Sequence, residues 1–425
     1  MSAVAVFFRR FNESNRIGSA CYPRSLAPVE AVSPPLGRNR CTQCSTRSRH
    51  FGTSALRHFG TSALRHFGTK IADVLGITRA ELAAHLTTHG VSTVHARPIW
   101  QQIHRDGHQT LTEATGLPKG LTTRLADDFP TTWPTISRDT ASSDGFTRKL
   151  LLTLDDAAQI ETVLMRYDGR ATVCVSTQAG CAMGCVFCAT GQMGFTRHLT
   201  AAEIVAQVYI AARMARDTTQ TPSVRNVVFM GMGEPLHNYD AVMQATDILA
   251  DTAGLGLSPR RLTVSTVGVA PGIRRLADER RPVSLAVSLH AATQDGRLAL
   301  LPPAARAWSL DEVMDACRQW SAALDRHVFF EWTLIAGTND RTADAEALAH
   351  LLADQRAHVN LIPLNPTHGY AGSPTAARDA KAFQAVLAAA GIPSTIRQRR
   401  GIDIDSGCGQ LATSASRSRH PSSHR

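Results

Sequence analysis

The second half of the chain alternates short apolar runs with helical segments, and this alternation constrains the fold more than any other feature. The apolar runs are rich in β-branched residues and read NVVFMGMGEP, RRLTVSTVG, PVSLAVSLH, VFFEWTLIAG and HVNLIPLNP. Amphipathic stretches such as AVMQATDILADTAG and SLDEVMDACRQWSAAL separate them. Strands that alternate with helices are typical of parallel βαβ units. We therefore predict an α/β fold in which about six units form a partial (β/α)6 barrel.

Polar residues and glycines stand at the C-terminal ends of these predicted strands, in the motifs GMGEP, STVG, SLH and LNP. In barrels of parallel strands, the C-terminal strand ends form one edge, where ligands bind and chemistry takes place. We therefore expect the four motifs to surround one functional site.

The segment in front of the barrel has a different pattern. Residues 71–148 are predicted to be a small helical accessory domain and a linker, since TRAELAAHLTTHG begins with a capping Thr and ends with Gly. The runs RKLLLTL and ETVLMRYDGRATVCVST are predicted strands that lead into the main fold. The core is accordingly assigned to residues 149–411.

Both ends of the chain are basic. Residues 1–70 carry eleven Lys and Arg against two acidic residues and repeat RHFGTSAL, and the last fourteen residues carry three Arg and no acid. We interpret residues 1–70 as a disordered leader or a wrongly assigned start, and residues 412–425 as a disordered tail. An Arg-rich, acid-poor leader is also typical of a transit peptide, so organelle import is the alternative to a cytoplasmic location. Charge confined to tails is weak support for a polyanion partner.

The cysteines favour metal or redox chemistry in a reducing compartment. Nine are present, an odd number, and no convincing secretory signal precedes them. The isolated pair Cys41–Cys44 gives only a weak zinc signal, and Cys317 is expected in the core. No apolar stretch is long enough to cross a membrane, and the 43% apolar content is ordinary for a soluble globular protein.

Three cysteines lie within eight residues of the stretch GCAMGCVFCATGQ, namely Cys181, Cys185 and Cys188. A structural zinc site usually has four protein ligands, and no second cysteine pair follows at zinc-finger spacing. Thiolates also hold iron–sulfur clusters, and three of them on a four-iron cluster leave one iron open for another ligand. A zinc loop or packed cysteines is the alternative.

The spacing CxxxCxxC with an aromatic residue before the last Cys resembles the radical S-adenosylmethionine superfamily. The motifs CVSTQAGCAMGCVFCATGQMGF, MGMGEP, SLH, LNP and GIDIDSGCGQL, taken in order, resemble the RlmN/Cfr family of RNA adenosine methyltransferases. The resemblance covers roughly Lys149 to Leu411. It implies a radical-SAM barrel with one [4Fe-4S] cluster on Cys181, Cys185 and Cys188, and two S-adenosylmethionine molecules per turnover.

Radical chemistry suits this substrate, because adenine C2 and C8 are poor nucleophiles and the cofactor supplies the difficult step. The resemblance implies that Cys408 accepts a methyl group as an S-methylcysteine intermediate. It implies that Cys174 resolves the RNA adduct through a transient disulfide with Cys408. Glu161 matches the family's proton acceptor, the alternative being a solvent-facing charge on a strand.

Further positions match the family's cofactor contacts: Gly233, Glu234, Ser265, Ser288, Leu289, His290 and Asn365. The implied partners are an RNA substrate (ribosomal RNA, with transfer RNA as a further candidate) and an electron donor such as flavodoxin or ferredoxin. We expect a monomer with no membrane partner. Five arginines are predicted either to contact phosphates near the barrel mouth or to be solvated surface: Arg260, Arg261, Arg397, Arg399 and Arg400.

Two alternatives stay open at this point. The first is a Cfr-like enzyme that methylates C8, whereas we favour C2. The second is a non-catalytic paralogue that binds RNA or a metal and keeps the fold.

Overall fold

The structure is a computed structural model, and it describes residues 73–113, 115–117, 120–216 and 223–413. The leader with its repeats and with Cys41 and Cys44 lies outside these residues, as does the predicted tail from residue 414 onward. The interpretations of both segments therefore stay predictions. Residues 412 and 413, the first two of the predicted tail, are ordered instead, since the Ala412 amide donates to the Glu161 carboxylate and Thr413 is buried. No helix among the described residues is long and apolar enough to span a bilayer.

Three helices precede the sheet: α1 (Arg79–Thr88), α2 (Ala96–His104) and α3 (Leu121–Asp128). The capping Thr78 begins α1 as predicted, since its hydroxyl accepts from the Glu81 amide while the Glu81 carboxylate accepts from the Thr78 amide. His104 at the end of α2 is buried, and its Nδ1 lies 2.8 Å from the Tyr209 hydroxyl in the barrel. The helical segment thus packs on the barrel.

The main sheet has ten strands in the order β1-β2-β3-β4-β7-β8-β9-β10-β11-β12. The strands are β1 (Thr135–Ala141), β2 (Thr147–Thr153), β3 (Gln159–Tyr167), β4 (Arg170–Cys174), β7 (Val224–Phe229), β8 (Leu262–Thr266), β9 (Ser284–Ser288), β10 (Val328–Leu334), β11 (Ala357–Pro363) and β12 (Ser394–Ile396). The pairs among β1 to β4 are antiparallel, and every pair from β4·β7 to β11·β12 is parallel. The predicted segment 71–148 thus contains β1 and the start of β2 as well as helices.

Six helices connect the seven parallel strands, so the prediction of a partial (β/α)6 barrel is confirmed. They are α5 (Ala201–Arg216), α6 (Tyr239–Ala250), α7 (Ala270–Asp278), α10 (Leu310–Leu324), α11 (Thr342–Leu351) and α12 (Ala377–Ala389). Short helices lie in the loops: α4 (Ala189–Met193), α8 (Gln294–Leu300) and α9 (Pro302–Ala307). Single 3₁₀ turns occupy Val74–Gly76, Thr93–His95, Leu111–Glu113, Pro235–Asn238, Pro259–Arg261 and Ile402–Ile404.

A separate two-stranded sheet, β5 (Gln178–Cys181) and β6 (Gly194–His198), stands over the C-terminal edge of the barrel. The Thr177 amide donates to the Met232 carbonyl oxygen just beyond β7, and this bond ties the start of β5 to that edge. Because the parallel strands all end on this edge, the motifs after β7, β8, β9 and β11 meet there.

Candidate active site at the C-terminal edge of the barrel

The cysteine motif begins in a strand rather than wholly in a loop, because Cys181 is the last residue of β5 and Cys188 directly precedes α4. Cys181 is buried, whereas Cys185 and Cys188 are half-buried. The Cys188 amide donates to the Cys185 carbonyl oxygen at 3.1 Å, and the Met183 amide donates to the Cys181 sulfur at 3.5 Å. These bonds fix the three thiols on one compact turn.

The three thiols fit a cluster better than a single zinc ion. Ligands at about 2.3 Å around one zinc would place neighbouring Sγ atoms about 3.8 Å apart. The Sγ atoms of Cys181, Cys185 and Cys188 do not all lie within 4.8 Å of one another. A cluster accepts this wider spacing because each thiolate binds a different iron.

The electrostatics of the turn keep its thiols protonated unless a cation binds. Burial, with the neighbouring charges of Cys188 and Glu234, raises the pKa of the Cys181 thiol to about 12. Burial also raises the pKa of Cys185 and that of Cys188. Since only thiolates ligate metals, bound iron would supply the positive charge that these buried sulfurs need.

Glu234 follows β7 and is fixed by backbone amides. Its two carboxylate oxygens accept from the Leu236 amide at 3.0 Å and the Val267 amide at 2.9 Å, and its side chain is 2% exposed. Burial raises the pKa of Glu234 to about 7, against these hydrogen bonds, which lower it. The carboxylate thus links the ends of β7 and β8 and retains lone pairs that could accept from a bound ammonium group.

Gly233 is required where it stands. Its φ is +102°, and a Cβ there would lie 2.5 Å from the Gln178 Cβ. The Gln178 side chain in turn accepts from the Glu234 amide at 2.8 Å. The close approach of the two backbones therefore brings the GMGEP turn against the strand that carries Cys181.

Ser288 and Leu289 lie at the end of β9, and the buried guanidinium of Arg297 holds them. Arg297 donates to the Val267 carbonyl oxygen at 2.8 Å and to the Leu289 carbonyl oxygen at 3.2 Å. A longer bond of 3.4 Å reaches the Ser288 carbonyl oxygen. Leu289 as a whole is fully buried, and its amide donates to the Glu331 carbonyl oxygen at 3.0 Å.

His290 is buried with φ +57°, an unusual conformation for a residue with a side chain. Its Nδ1 accepts from the Thr333 amide at 2.9 Å. Burial, with the nearby positive charge of Arg297, lowers the pKa of His290 to about 3, so the ring is neutral and carries its proton on Nε2. The ring stands edge-on to Phe187 at 5.0 Å, which joins the end of β9 to the cysteine turn.

Asn365, just beyond β11, carries an unsatisfied acceptor. Its Nδ2 donates to the Cys408 carbonyl oxygen at 3.1 Å, while its buried Oδ1 has no hydrogen-bond partner among the described residues. A buried amide oxygen without a donor fits a ligand that brings its own, as S-adenosylmethionine does. Ser265, in β8, is half-buried.

The Cys408 loop is bonded to the cysteine turn. The Ala189 amide, next to Cys188, donates to the Gly409 carbonyl oxygen at 2.7 Å, and the Thr190 hydroxyl donates to the Leu411 carbonyl oxygen at 2.6 Å. Cys408 is exposed, yet the protein around its thiol raises its pKa, and the negative charge of Glu331 raises it further. Cys408 is thus exposed as a residue while its thiol is surrounded by protein.

Cys174 is the last residue of β4 and is buried. Burial raises the pKa of its thiol, and the charge of Cys408 adds to this rise, which indicates that the two sulfurs are close. Both are free thiols in this structure.

Glu161 is buried on β3, so the alternative of a solvent-facing charge is wrong. Its carboxylate lies 3.1 Å from the Lys149 ammonium group and accepts from the Ala412 amide at 2.9 Å. A cavity of about 170 Å³ opens beside it, lined by Arg138, Thr140, Lys149, Leu151, Ile404, Asp405 and Ala412. Glu161 thus faces a small cavity lined by both charged and apolar side chains, next to the Cys408 loop.

Two buried charges at the site were not predicted. Glu331 on β10 is 4% exposed, and its carboxylate accepts from the Asn360 side chain at 2.8 Å. A single acid within the apolar run VFFEWTLIAG is a signal that could have indicated it. Nothing in the helical run around Arg297 distinguishes that residue from a surface arginine.

The predicted arginines divide into two groups. Arg260 and Arg261 precede β8, at the edge of the barrel opposite the site, so their placement near the barrel mouth is wrong. Their position follows from chain direction, since a residue before a parallel strand lies at its N-terminal end. Arg397, Arg399 and Arg400 follow β12 on the site's side, and Arg400 stacks over the rings of Phe146 and Tyr167.

Comparisons with known proteins agree with this geometry. Residues 175–349 match the radical SAM superfamily. The dual-specificity RNA methyltransferase RlmN 1 of Myxococcus xanthus is 55% identical over 346 residues, which cover 81% of this chain and 96% of the relative. The crystal structure of a radical SAM methyltransferase from Sphaerobacter thermophilus superimposes with a TM-score of 0.76 at 46% identity, covering 80% of this chain and 99% of that one.

The identity and coverage extend over the barrel and the helical segment together, and the superfamily match contains the cysteine turn and the GMGEP, STVG and SLH motifs. The protein is therefore a transferase that acts on RNA, and the alternative of a non-catalytic paralogue is wrong. Family membership also implies S-adenosylmethionine and a [4Fe-4S] cluster as cofactors. The chain belongs to the RlmN/Cfr family of radical S-adenosylmethionine RNA methyltransferases.

Proposed function

We propose that this protein methylates C2 of an adenosine in ribosomal RNA, and of one in transfer RNA, through a methyl group carried on Cys408. The observation that carries the proposal is the bonding of the Cys408 loop to the cysteine turn, through Ala189 and Thr190. This bonding brings the Cys408 loop against the turn that carries the three thiols proposed to hold the cluster. The name of the Myxococcus xanthus relative, a dual-specificity RNA methyltransferase, supports two kinds of RNA substrate.

The residues around the site would bind the cofactors as follows. Cys181, Cys185 and Cys188 would hold the cluster. Glu234, with the backbone at Gly233, would accept from the methionine ammonium group. The Asn365 Oδ1 atom, the neutral His290 ring and the hydroxyls of Ser265 and Ser288 offer further contacts, whereas both backbone groups of Leu289 are bonded within the protein. When bound, the cluster and S-adenosylmethionine supply the radical that makes an unreactive methyl group able to attack adenine.

Three side chains of the protein would handle the methyl group and the proton. The Cys408 sulfur gives up its proton and takes a methyl group from one S-adenosylmethionine, and a second molecule is used for the radical step. Glu161 removes the proton from the adenine carbon. By this stage the former methyl carbon would link the Cys408 sulfur to the adenine carbon, and the adduct would have given back one electron. The Cys174 thiolate would then attack the Cys408 sulfur and break its bond to that carbon, which takes up a proton and leaves as the methyl group of the RNA. The two cysteines remain as a disulfide that an external reductant must open.

The proposal extends to the electron donor, the cellular location and the oligomeric state. Cleavage of S-adenosylmethionine consumes an electron, so we propose a small electron carrier such as flavodoxin or ferredoxin as partner. A reduced cluster and reopening of the disulfide both suit the cytoplasm. We propose that the enzyme acts as a monomer.

Nucleoside mass spectrometry tests the function. The cluster-loaded enzyme, reductant and S-adenosylmethionine are incubated with ribosomal and transfer RNA from cells that lack the modification. We expect 2-methyladenosine in both RNAs, lost in Cys408→Ala and retained in Cys317→Ala, a cysteine buried in α10 that takes no part in the proposed steps. A product of 8-methyladenosine would overturn the C2 assignment, and absence of both products despite cofactor cleavage would overturn the proposal.

A further inference from the structure

A cluster of three metal-ligating side chains lies in the helical segment. His85 is in the last turn of α1, His89 caps that helix, and Asp128 is the last residue of α3. The Nε2 atom of His85 lies 3.1 Å from Asp128 Oδ2, and the Nε2 atom of His89 lies 3.9 Å from the same oxygen. All three ligand atoms are within 4.8 Å of one another.

These distances suit a tetrahedral ion. Ligand bonds of about 2.0–2.2 Å to zinc place neighbouring ligand atoms about 3.3 Å apart. The His85–Asp128 distance of 3.1 Å is already near that value, and the His89–Asp128 distance of 3.9 Å is somewhat longer. Histidines four residues apart lie on one face of a helix, and α3 brings the carboxylate to that face.

A hydrogen bond alone explains only part of this arrangement. His85 and Asp128 are within hydrogen-bond distance, but the nitrogen of His89 is too far from the carboxylate for such a bond. The two imidazole rings nevertheless lie side by side, with centroids 4.3 Å apart. In the part of the chain that the structure describes, no other set of three His, Cys, Asp or Glu side chains converges this closely.

The surroundings leave room for an ion. Phe129 packs edge-on against the His85 ring at 4.3 Å and holds that ring in place. The His89 side chain is 45% exposed and that of Asp128 is 35% exposed, so the side of the cluster facing solvent is accessible. A fourth ligand at this side would be water, as in three-ligand zinc sites.

We propose that His85, His89 and Asp128 form a binding site for one divalent cation of the zinc class. The ion is bound by the two Nε2 atoms and an Asp128 carboxylate oxygen. It ties the C-terminal end of α1 to that of α3, and so fixes two helices of the segment in front of the barrel. The site does not depend on the proposed methylation chemistry.

The test measures zinc in the full-length, cluster-loaded enzyme, so that the cluster cysteines are occupied. Parent, His89→Ala, Asp128→Asn and the control His95→Ala are dialysed against buffered Zn²⁺ and analysed for zinc and iron. We expect His89→Ala and Asp128→Asn each to hold one zinc fewer per chain than the parent, with equal iron. His95→Ala, a histidine of the same segment outside the cluster, should match the parent.

Zinc bound elsewhere, for example at Cys41 and Cys44, contributes equally to the parent and the variants. It therefore does not affect the difference in zinc content between them. Titration with Co²⁺ gives a second readout, since tetrahedral cobalt absorbs visible light and this absorption should be lost in both variants. Circular dichroism establishes that each variant is folded, and both substitutions are at partly exposed positions. Equal zinc content and equal cobalt spectra in parent, His89→Ala and Asp128→Asn would overturn the proposal.

Discussion

The strand-end side of the site, formed by the ends of β7, β8 and β9, differs from the thiol side, formed by the Cys408 loop. On the strand-end side, Glu234 and Arg297 are buried, and each bonds to backbone groups of neighbouring strand ends. On the thiol side, Cys408 is exposed in a loop after the last strand. The first side is built to hold a ligand in one position, whereas the second presents a thiol that can meet several reactants in turn.

The cysteine turn connects the two sides, because Phe187 packs on His290 and Ala189 bonds to Gly409. Removing a ligand from this turn should therefore have the largest effect. We expect Cys185→Ala to abolish both the brown cluster absorption and RNA methylation. Cys317→Ala should retain both. Full cluster content in Cys185→Ala, measured as iron and acid-labile sulfide, would contradict the ligand assignment.

Replacing Arg297 by Met should weaken the strand-end side. The substitution keeps most of the volume but removes the Arg297 donor to the Val267 carbonyl oxygen and one of the two donors to the Leu289 carbonyl oxygen, which keeps its bond from the Ala291 amide. An unsatisfied buried group costs about 1–3 kcal/mol. We expect the free energy of unfolding to fall by at least about 2 kcal/mol in urea denaturation, and S-adenosylmethionine to bind more weakly. Arg306→Met, at an exposed arginine of α9, should change neither. Equal stability of both variants would show that the Arg297 bonds contribute little.

The raised pKa of Glu234 predicts a pH dependence on the same side. With a pKa of about 7 in the folded state against an ordinary 4.5, the folded protein keeps a proton that the unfolded chain has lost. Stability should therefore fall as pH rises from about 4.5 to about 7, by up to about 1.4 kcal/mol per pH unit from this group. Difference infrared spectroscopy should show a carboxyl band that titrates near pH 7 and is absent in Glu234→Gln. A band that titrates near pH 4.5 would contradict the effect of burial.

The smallest predicted effect concerns the thiol side. The negative charge of Glu331 raises the pKa of Cys408, so Glu331→Gln should lower that pKa. We expect Cys408 to be alkylated roughly two- to tenfold faster at neutral pH, as followed by peptide mass spectrometry. Glu346→Gln, at an exposed carboxylate of α11, is the matched control. An unchanged rate in Glu331→Gln would show that the charge of Glu331 does not affect the Cys408 thiol.

Some features of the fold and the site can be predicted from the sequence, and others cannot. The barrel, the cysteine turn and the strand-end motifs can be read from it, because each depends on residues close in the chain. Arg297 cannot, since its role depends on carbonyl oxygens of β8 and β9 that only the folded barrel brings together. The same holds for Lys149 beside Glu161, which strand pairing of β2 and β3 creates. The charge of Arg260 and Arg261 does not predict their place either, which depends on their position before β8.

The central claim is that Cys408 carries the methyl group, and peptide mass spectrometry tests it most directly. The cluster-loaded enzyme is incubated with S-adenosylmethionine labelled in its methyl carbon, washed, and then given RNA, reductant and unlabelled S-adenosylmethionine. We predict a labelled methyl group on Cys408, none on Cys174, and transfer of the labelled carbon to adenosine on addition of RNA. Methylated RNA that contains no labelled carbon, or is formed equally by Cys408→Ala, would contradict the account.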